Sequence, residues 1–323
     1  MKYRRIVTGI ITGLTAIMLL SGEALADGII LAPGVELSGG QKSGPAGPGG
    51  AQQSDGSASG TGETGVIFDP VSAQQTSGTA QTSGIAQTSA DTESLIAASL
   101  ADPYTVFPAG EPGIFVSRGR MIDASKPMLA LTFDDGPRTD TGSRIMNAFE
   151  QYGQRATFYL VGSRVASRAD EVKRMASSGH ELGNHSYSHT YFNRLDAEGI
   201  RSEVRSCNDI IEQTTGVRPR TMRLPGGIKD GIILENIGMP VILWSIDTRD
   251  WEHRNTSAAV SAVIGKVRDG DIILMHELYE STASAVEQLV PQLVEQGFQL
   301  VTVSEMAAVK GTALSDNAVY YSL

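Results

Sequence analysis

Residues 128–137, MLALTFDDGP, open with four apolar positions, end in two adjacent carboxylates and stop at a Gly-Pro turn. A continuous apolar run of this length reads as a strand buried on both faces, and Gly136-Pro137 terminates it. Asp134 and Asp135 then stand at the C-terminal tip of a core strand. In a parallel α/β barrel that rim is where reactive groups collect, because the interior is filled by side chains. A lone DDG reads more readily as an acidic turn, so the segments around it decide.

Downstream, strand-like and helix-like stretches alternate. Residues 156–162, 180–186, 241–247, 271–277 and 298–306 read as strands, with a further strand running into TMRLPGG at 221–227, and 141–153, 167–179, 197–216, 232–237, 257–267 and 282–297 read as helices, the last despite Pro291. A βα unit repeated about seven times predicts an α/β fold, a distorted or incomplete (β/α) barrel of about seven parallel strands.

Upstream, residues 1–26 combine a basic start (MKYRR), an apolar stretch at 6–20 and a small-residue ending (SGEALA), which predicts a signal peptide cleaved after Ala26 or an N-terminal membrane anchor. Residues 27–103 are rich in Gly, Ser, Thr, Ala, Gln and Pro, with a short QTSGTA, QTSGIA, QTSA repeat from Gln75. Too little apolar surface exists there to offset the entropy of ordering, so a disordered low-complexity linker is expected. That linker holds eight acids and one lysine, −7 of the chain's −10. No basic patch points to nucleic acid, and an exported, monomeric, extracellular or cell-surface domain acting on a neutral or mixed-charge polymer is expected. Cys207 is the single cysteine, so no internal disulfide can form. The catalytic domain is placed at 104–310 and a C-terminal tail at 311–323.

Ionisable groups recur at the ends of the strand-like stretches. His185 and His189 in HSYSH lie four apart; on one side of a helical turn, with one carboxylate, they supply three ligands to a divalent metal and leave a position for water. Ser186 stands where the zinc-protease pattern needs Glu. Arg223 in RLPGG, Asp247, Asp250 and Trp251 in DTRDW, and Leu274 and His276 in LMHE follow the later strands. Taken singly, they also read as a surface cation, a capped turn and a core imidazole.

TFDDGP, HSxxH, RxP, DxxDW and LxH, in this order, resemble the polysaccharide deacetylases of carbohydrate esterase family four over about residues 127–306. The resemblance implies that Asp135, His185 and His189 bind one divalent ion (Zn²⁺, or Co²⁺ or Ni²⁺), that Asp134 is the catalytic base and that Arg223 orients it. It implies further that His276 is the catalytic acid partnered by Asp250, and that Trp251 and Leu274 form the pocket for the acetyl methyl. The implied reaction is removal of acetyl groups from a polysaccharide, and the motifs do not distinguish one sugar from another. The signal or anchor and the long linker upstream favour the cell wall, so N-acetyl groups of extracellular peptidoglycan GlcNAc are expected first, with chitooligosaccharide or acetylxylan as alternatives. The chain departs from the family at Gly226, where an aromatic is usual, so the groove is expected to lose a wall there. An aspartyl-nucleophile phosphatase needs D-x-D, and Phe133 stands two before Asp135. A silent wall-binding module would have lost metal or base residues, and all are retained.

Overall fold

The computed structural model describes residues 89–102 and 104–323. The signal or anchor at 1–26 and the linker up to residue 88 lie outside the described residues. The linker reading is corrected at its end: Ser89–Ala101 form a helix, α1. Leu95, Ile96 and the alanines around them favour helix, and Ser99 is buried, its Oγ accepting the Gly119 N–H at 3.0 Å. Among the described residues, no helix is long and apolar enough to cross a membrane.

A small antiparallel sheet, β1 (Phe107–Pro108), β2 (Ile114–Ser117) and β3 (Arg120–Asp123), follows. Then come β4 (Met128–Gly136), α2 (Thr139–Gln151), β5 (Thr157–Leu160), α3 (Gly162–Val165), α4 (Ala169–Ser177), β6 (Glu181–Asn184), α5 (Ala197–Thr215) and α6 (Gly231–Ile237). β7 (Val241–Ile242), β8 (Ile246–Asp247), α7 (Asp250–His253), α8 (Thr256–Val263), β9 (Ile272–His276), α9 (Glu280–Glu295), β10 (Gln299–Leu300), α10 (Val303–Val309) and β11 (Val319–Tyr320) complete the order. The main sheet runs β6-β5-β4-β9-β8, all parallel, with β10 also on β4. Single-residue bridges from Asn184 to Met222 to Val241 carry it round to β7. The sheet is not closed, so the expected barrel is a distorted, open one.

β4 is buried along its length except at Asp135, which is partly exposed. Its alternate residues sort by face. Leu129, Leu131 and Phe133 pack outward with Ile145 and Phe149 of α2 and Val286 and Leu289 of α9, while Met128 and Ala130 pack inward with Tyr159, Ile272 and Val301. The inward row thus runs Met128, Ala130, Thr132, Asp134, apolar at one end and polar at the other. This gradient delivers Asp134 to the rim.

Three expectations are revised. The strand at 241–247 is split into β7 and β8, because the carbonyls of Ile242 and Leu243 accept from the Arg223 guanidinium at 2.9 Å each. The strand at 298–306 stops after Leu300: Thr302 and Glu305 form a reciprocal capping box that starts α10. Residues 311–323, set apart as a tail, are woven into the fold, with β11 parallel to β7 and Ser322 bridged to Asp271.

Candidate active site

β4 and β5 lose register between Asp134 and Gly136, and Asp135 sits at φ 70°. Successive strand residues normally point to opposite faces; the irregularity lets both carboxylates border one cleft. That cleft, about 380 Å³, is lined by Asp134, Asp135, His185 and His189, and also by Gly226, Trp251, Leu274 and His276.

The ligand atoms of Asp135, His185 and His189 lie within 4.8 Å of one another. Asp135 Oδ1 is 3.0 Å from His189 Nε2 and 3.5 Å from His185 Nε2. The two histidines do not share a helical turn, as their spacing suggested: 185–189 is a loop, with Ser186 and His189 at positive φ. The Ser186 Oγ accepts the His189 N–H at 2.9 Å, and Asn184 Oδ1 accepts the Ser186 N–H at 2.7 Å. These bonds hold the loop so that both rings face Asp135.

His185 Nδ1 lies 2.8 Å from the Arg223 carbonyl, which only accepts, so Nδ1 carries the hydrogen. With Nδ1 so engaged, the ring turns Nε2 toward Asp135 and toward Asp134 Oδ2, 3.7 Å away. Deprotonated, Nε2 offers its lone pair beside two carboxylates, an arrangement that a bound cation stabilises. Burial opposes charge on His185, but Asp134 and Asp135 outweigh it and raise its pKa. Burial likewise opposes the Asp135 carboxylate, yet His185 and His189 hold its pKa far below the usual carboxylate range. Two nitrogens and a carboxylate oxygen that demand positive charge fit a divalent metal.

Arg223 is fully buried, which excludes a surface cation. Its guanidinium reaches Thr132 Oγ1 at 2.7 Å and Asp134 Oδ1 at 2.9 Å, and it lies 4.4 Å from the Tyr159 ring centroid. Asp134 is thereby fixed with Oδ2 toward the ligand cluster. Asp250 accepts from the Trp251 N–H, the His276 N–H, His276 Nδ1 and Thr282 Oγ1, at 2.6–2.9 Å. Since Nδ1 donates, His276 presents Nε2 to the cleft. Burial works against the His276 imidazolium, but Asp250, Asp134 and Asp135 together raise its pKa.

Residues 122–241 match the family described as Polysaccharide deacetylase. A peptidoglycan-N-acetylglucosamine deacetylase of Bacillus cereus is 31% identical over 197 residues, which cover 58% of this chain and 92% of that protein. The chain belongs to the polysaccharide deacetylase family. Peptidoglycan-N-acetylmuramic acid deacetylase PdaC of Bacillus subtilis is 38% identical over 61% of this chain, and the match spans only 42% of PdaC's length. The solved structure of a family 4 acetyl xylan esterase from Clostridium thermocellum, in complex with a cobalt ion, superposes with TM-score 0.58 at 32% identity, covering 61% of this chain and 98% of that one.

Several residues of this polysaccharide deacetylase site escaped the sequence reading. Thr132 had a signal, standing two before Asp134 on the same strand face. Thr282, buried at the start of α9 and donating to Asp250, and the cleft aromatics Tyr191, Trp244 and Tyr279 had none, since only the fold brings them to the site. The wall expected to be lost at Gly226 is not open: a Cβ built there would lie 3.2 Å from Tyr191 Cζ.

Proposed function

We propose that this protein is a metal-dependent extracellular deacetylase that hydrolyses the N-acetyl amide of GlcNAc units in peptidoglycan and releases acetate. The observation that carries the reading is the meeting, in one cleft, of the Asp135, His185 and His189 triad with a carboxylate held by Arg223 and an imidazole held by Asp250. A divalent ion at the triad, Zn²⁺ or else Co²⁺ or Ni²⁺, supplies Lewis-acid polarisation of the acetyl carbonyl and lowers the pKa of water. Asp134 takes the proton of the attacking water through Oδ2. The Gly227 N–H is engaged by the Leu224 carbonyl at 2.8 Å, so of the two turn glycines Gly226 is the donor assigned to the tetrahedral oxyanion. His276 protonates the leaving amine nitrogen, while Trp251 and Leu274 receive the acetyl methyl.

His276 acts as an acid only while protonated. Its raised pKa keeps the imidazolium to higher pH, and the rate falls as pH rises through that value. Asp250→Asn removes a main support of the charged ring, so the alkaline limb of kcat is expected to move to lower pH by about one to three units. A pH profile with an unmoved alkaline limb contradicts the assigned pair.

The N-terminal segment read as a signal or anchor at 1–26 supports export, with a membrane tether through 6–20 if it is retained, and the domain is proposed to work as a monomer. Peptidoglycan is favoured by the names of the relatives from both Bacillus species; acetylxylan is the second reading, favoured by the Clostridium esterase. Acetate release from purified peptidoglycan, chitopentaose and acetylxylan, measured side by side, tests the choice. Peptidoglycan is expected to be the best substrate, with the lost acetyl on GlcNAc rather than on the N-acetylmuramic acid of PdaC's name. Release from xylan alone overturns this, and release from none of them supports a silent wall-binding module.

A further inference from the structure

Tyr191 lies two residues beyond the ligand His189, and its neighbour Phe192 is buried among Ile200, Val204 and Leu224. The backbone is therefore anchored just where the Tyr191 ring turns out to line the cleft, 37% exposed. The Arg194 guanidinium lies over the ring at 5.3 Å, and the His189 ring meets it at 6.2 Å, tilted by 66°. Beneath it runs the turn at Gly226 and Gly227, both at positive φ. A Cβ at Gly226 would come within 3.2–3.5 Å of Tyr191 Cζ, Cε1 and Oη, and one at Gly227 within 2.8 Å of Trp244 Cη2. The turn carries no side chain, and two aromatic rings occupy the space that side chains would take.

A pyranose with equatorial substituents presents an apolar C–H face that stacks on a flat ring while its hydroxyls stay hydrated. We propose that Tyr191 is a specificity-determining stacking platform for one pyranose unit of the polymer, and that glycine at 226 is what leaves the ring its place. The proposal rests on the polysaccharide deacetylase reading and names what holds the polymer beside the reacting acetyl group. Tyr191 positions substrate and takes no part in proton transfer.

The test is binding of N-acetylglucosamine tetramer, followed by calorimetry on metal-loaded full-length protein in the Asp134→Asn background, where turnover does not intervene. Tyr191→Ala is expected to raise Kd about tenfold, the order expected when an aromatic contact is removed. Tyr191→Phe should bind as the parent does, because stacking needs the ring and not the hydroxyl. Tyr191→Leu keeps apolar bulk and should bind as weakly as Tyr191→Ala, with metal content unchanged in all three. Gly226→Ala should weaken binding more when Tyr191 is present than beside Tyr191→Ala, since the clash with the ring is then gone. An unchanged Kd for Tyr191→Ala overturns the platform even if acetate is released from polymers. A loss shared by Tyr191→Phe overturns stacking in favour of a hydroxyl contact. If wild type releases no acetate yet binding falls in Tyr191→Ala and Tyr191→Leu alone, the platform stands and the hydrolytic reading fails.

Discussion

Asp134→Asn is expected to keep its metal and lose most of its turnover. The asparagine carbonyl can still accept from Arg223 Nη1, which approaches Asp134 Oδ1 at 2.9 Å, so the side chain should stay in place. What changes is the second atom: an amide nitrogen replaces Oδ2, and it cannot take a proton from water. Loss of a positioned general base costs about 10²- to 10⁴-fold in rate. None of the three groups assigned as ligands is altered, so metal analysis should find the wild-type stoichiometry. A variant within twofold of wild-type kcat would remove Asp134 from the role of base.

His185→Ala should do the reverse, with activity lost because the ion is lost. The deleted ring supplies Nε2 to the triad, and its Nδ1 bond at 2.8 Å ties that triad to the RLPGG turn. Loss of a mere outer partner of a ligand typically weakens metal binding by about 10- to 100-fold, and loss of the ligand should cost more. His276→Ala is the contrast, since it removes the acid and leaves the triad whole. Equilibrium dialysis should therefore show weakened metal binding in His185→Ala and wild-type binding in His276→Ala. Equal metal affinity in His185→Ala and wild type contradicts the ligand assignment.

The parts legible in the sequence are those set by local chemistry. MLALTFDDGP announced a core strand with acids at its tip, and β4 is that strand. HSYSH announced paired imidazoles, which converge on Asp135, but the spacing did not reveal that Ser186 and His189 reach this by left-handed backbone rather than by a helical turn. The break between β7 and β8 was illegible because its cause, Arg223, lies 19 and 20 residues away in sequence from the carbonyls it binds. Glu305 illustrates a different failure: VTVSEM has strand-like composition, and the Thr302 and Glu305 capping box overrides it. Tyr191 belongs to neither group. Its role depends on a turn more than 30 residues later that happens to lack side chains.

The most direct test of the account is stoichiometric reconstitution. Chelator-treated protein should release no acetate from purified peptidoglycan, and activity should rise in proportion to added Zn²⁺ until one ion is bound per chain, then level off. Full acetate release by protein shown to contain no bound metal would contradict it.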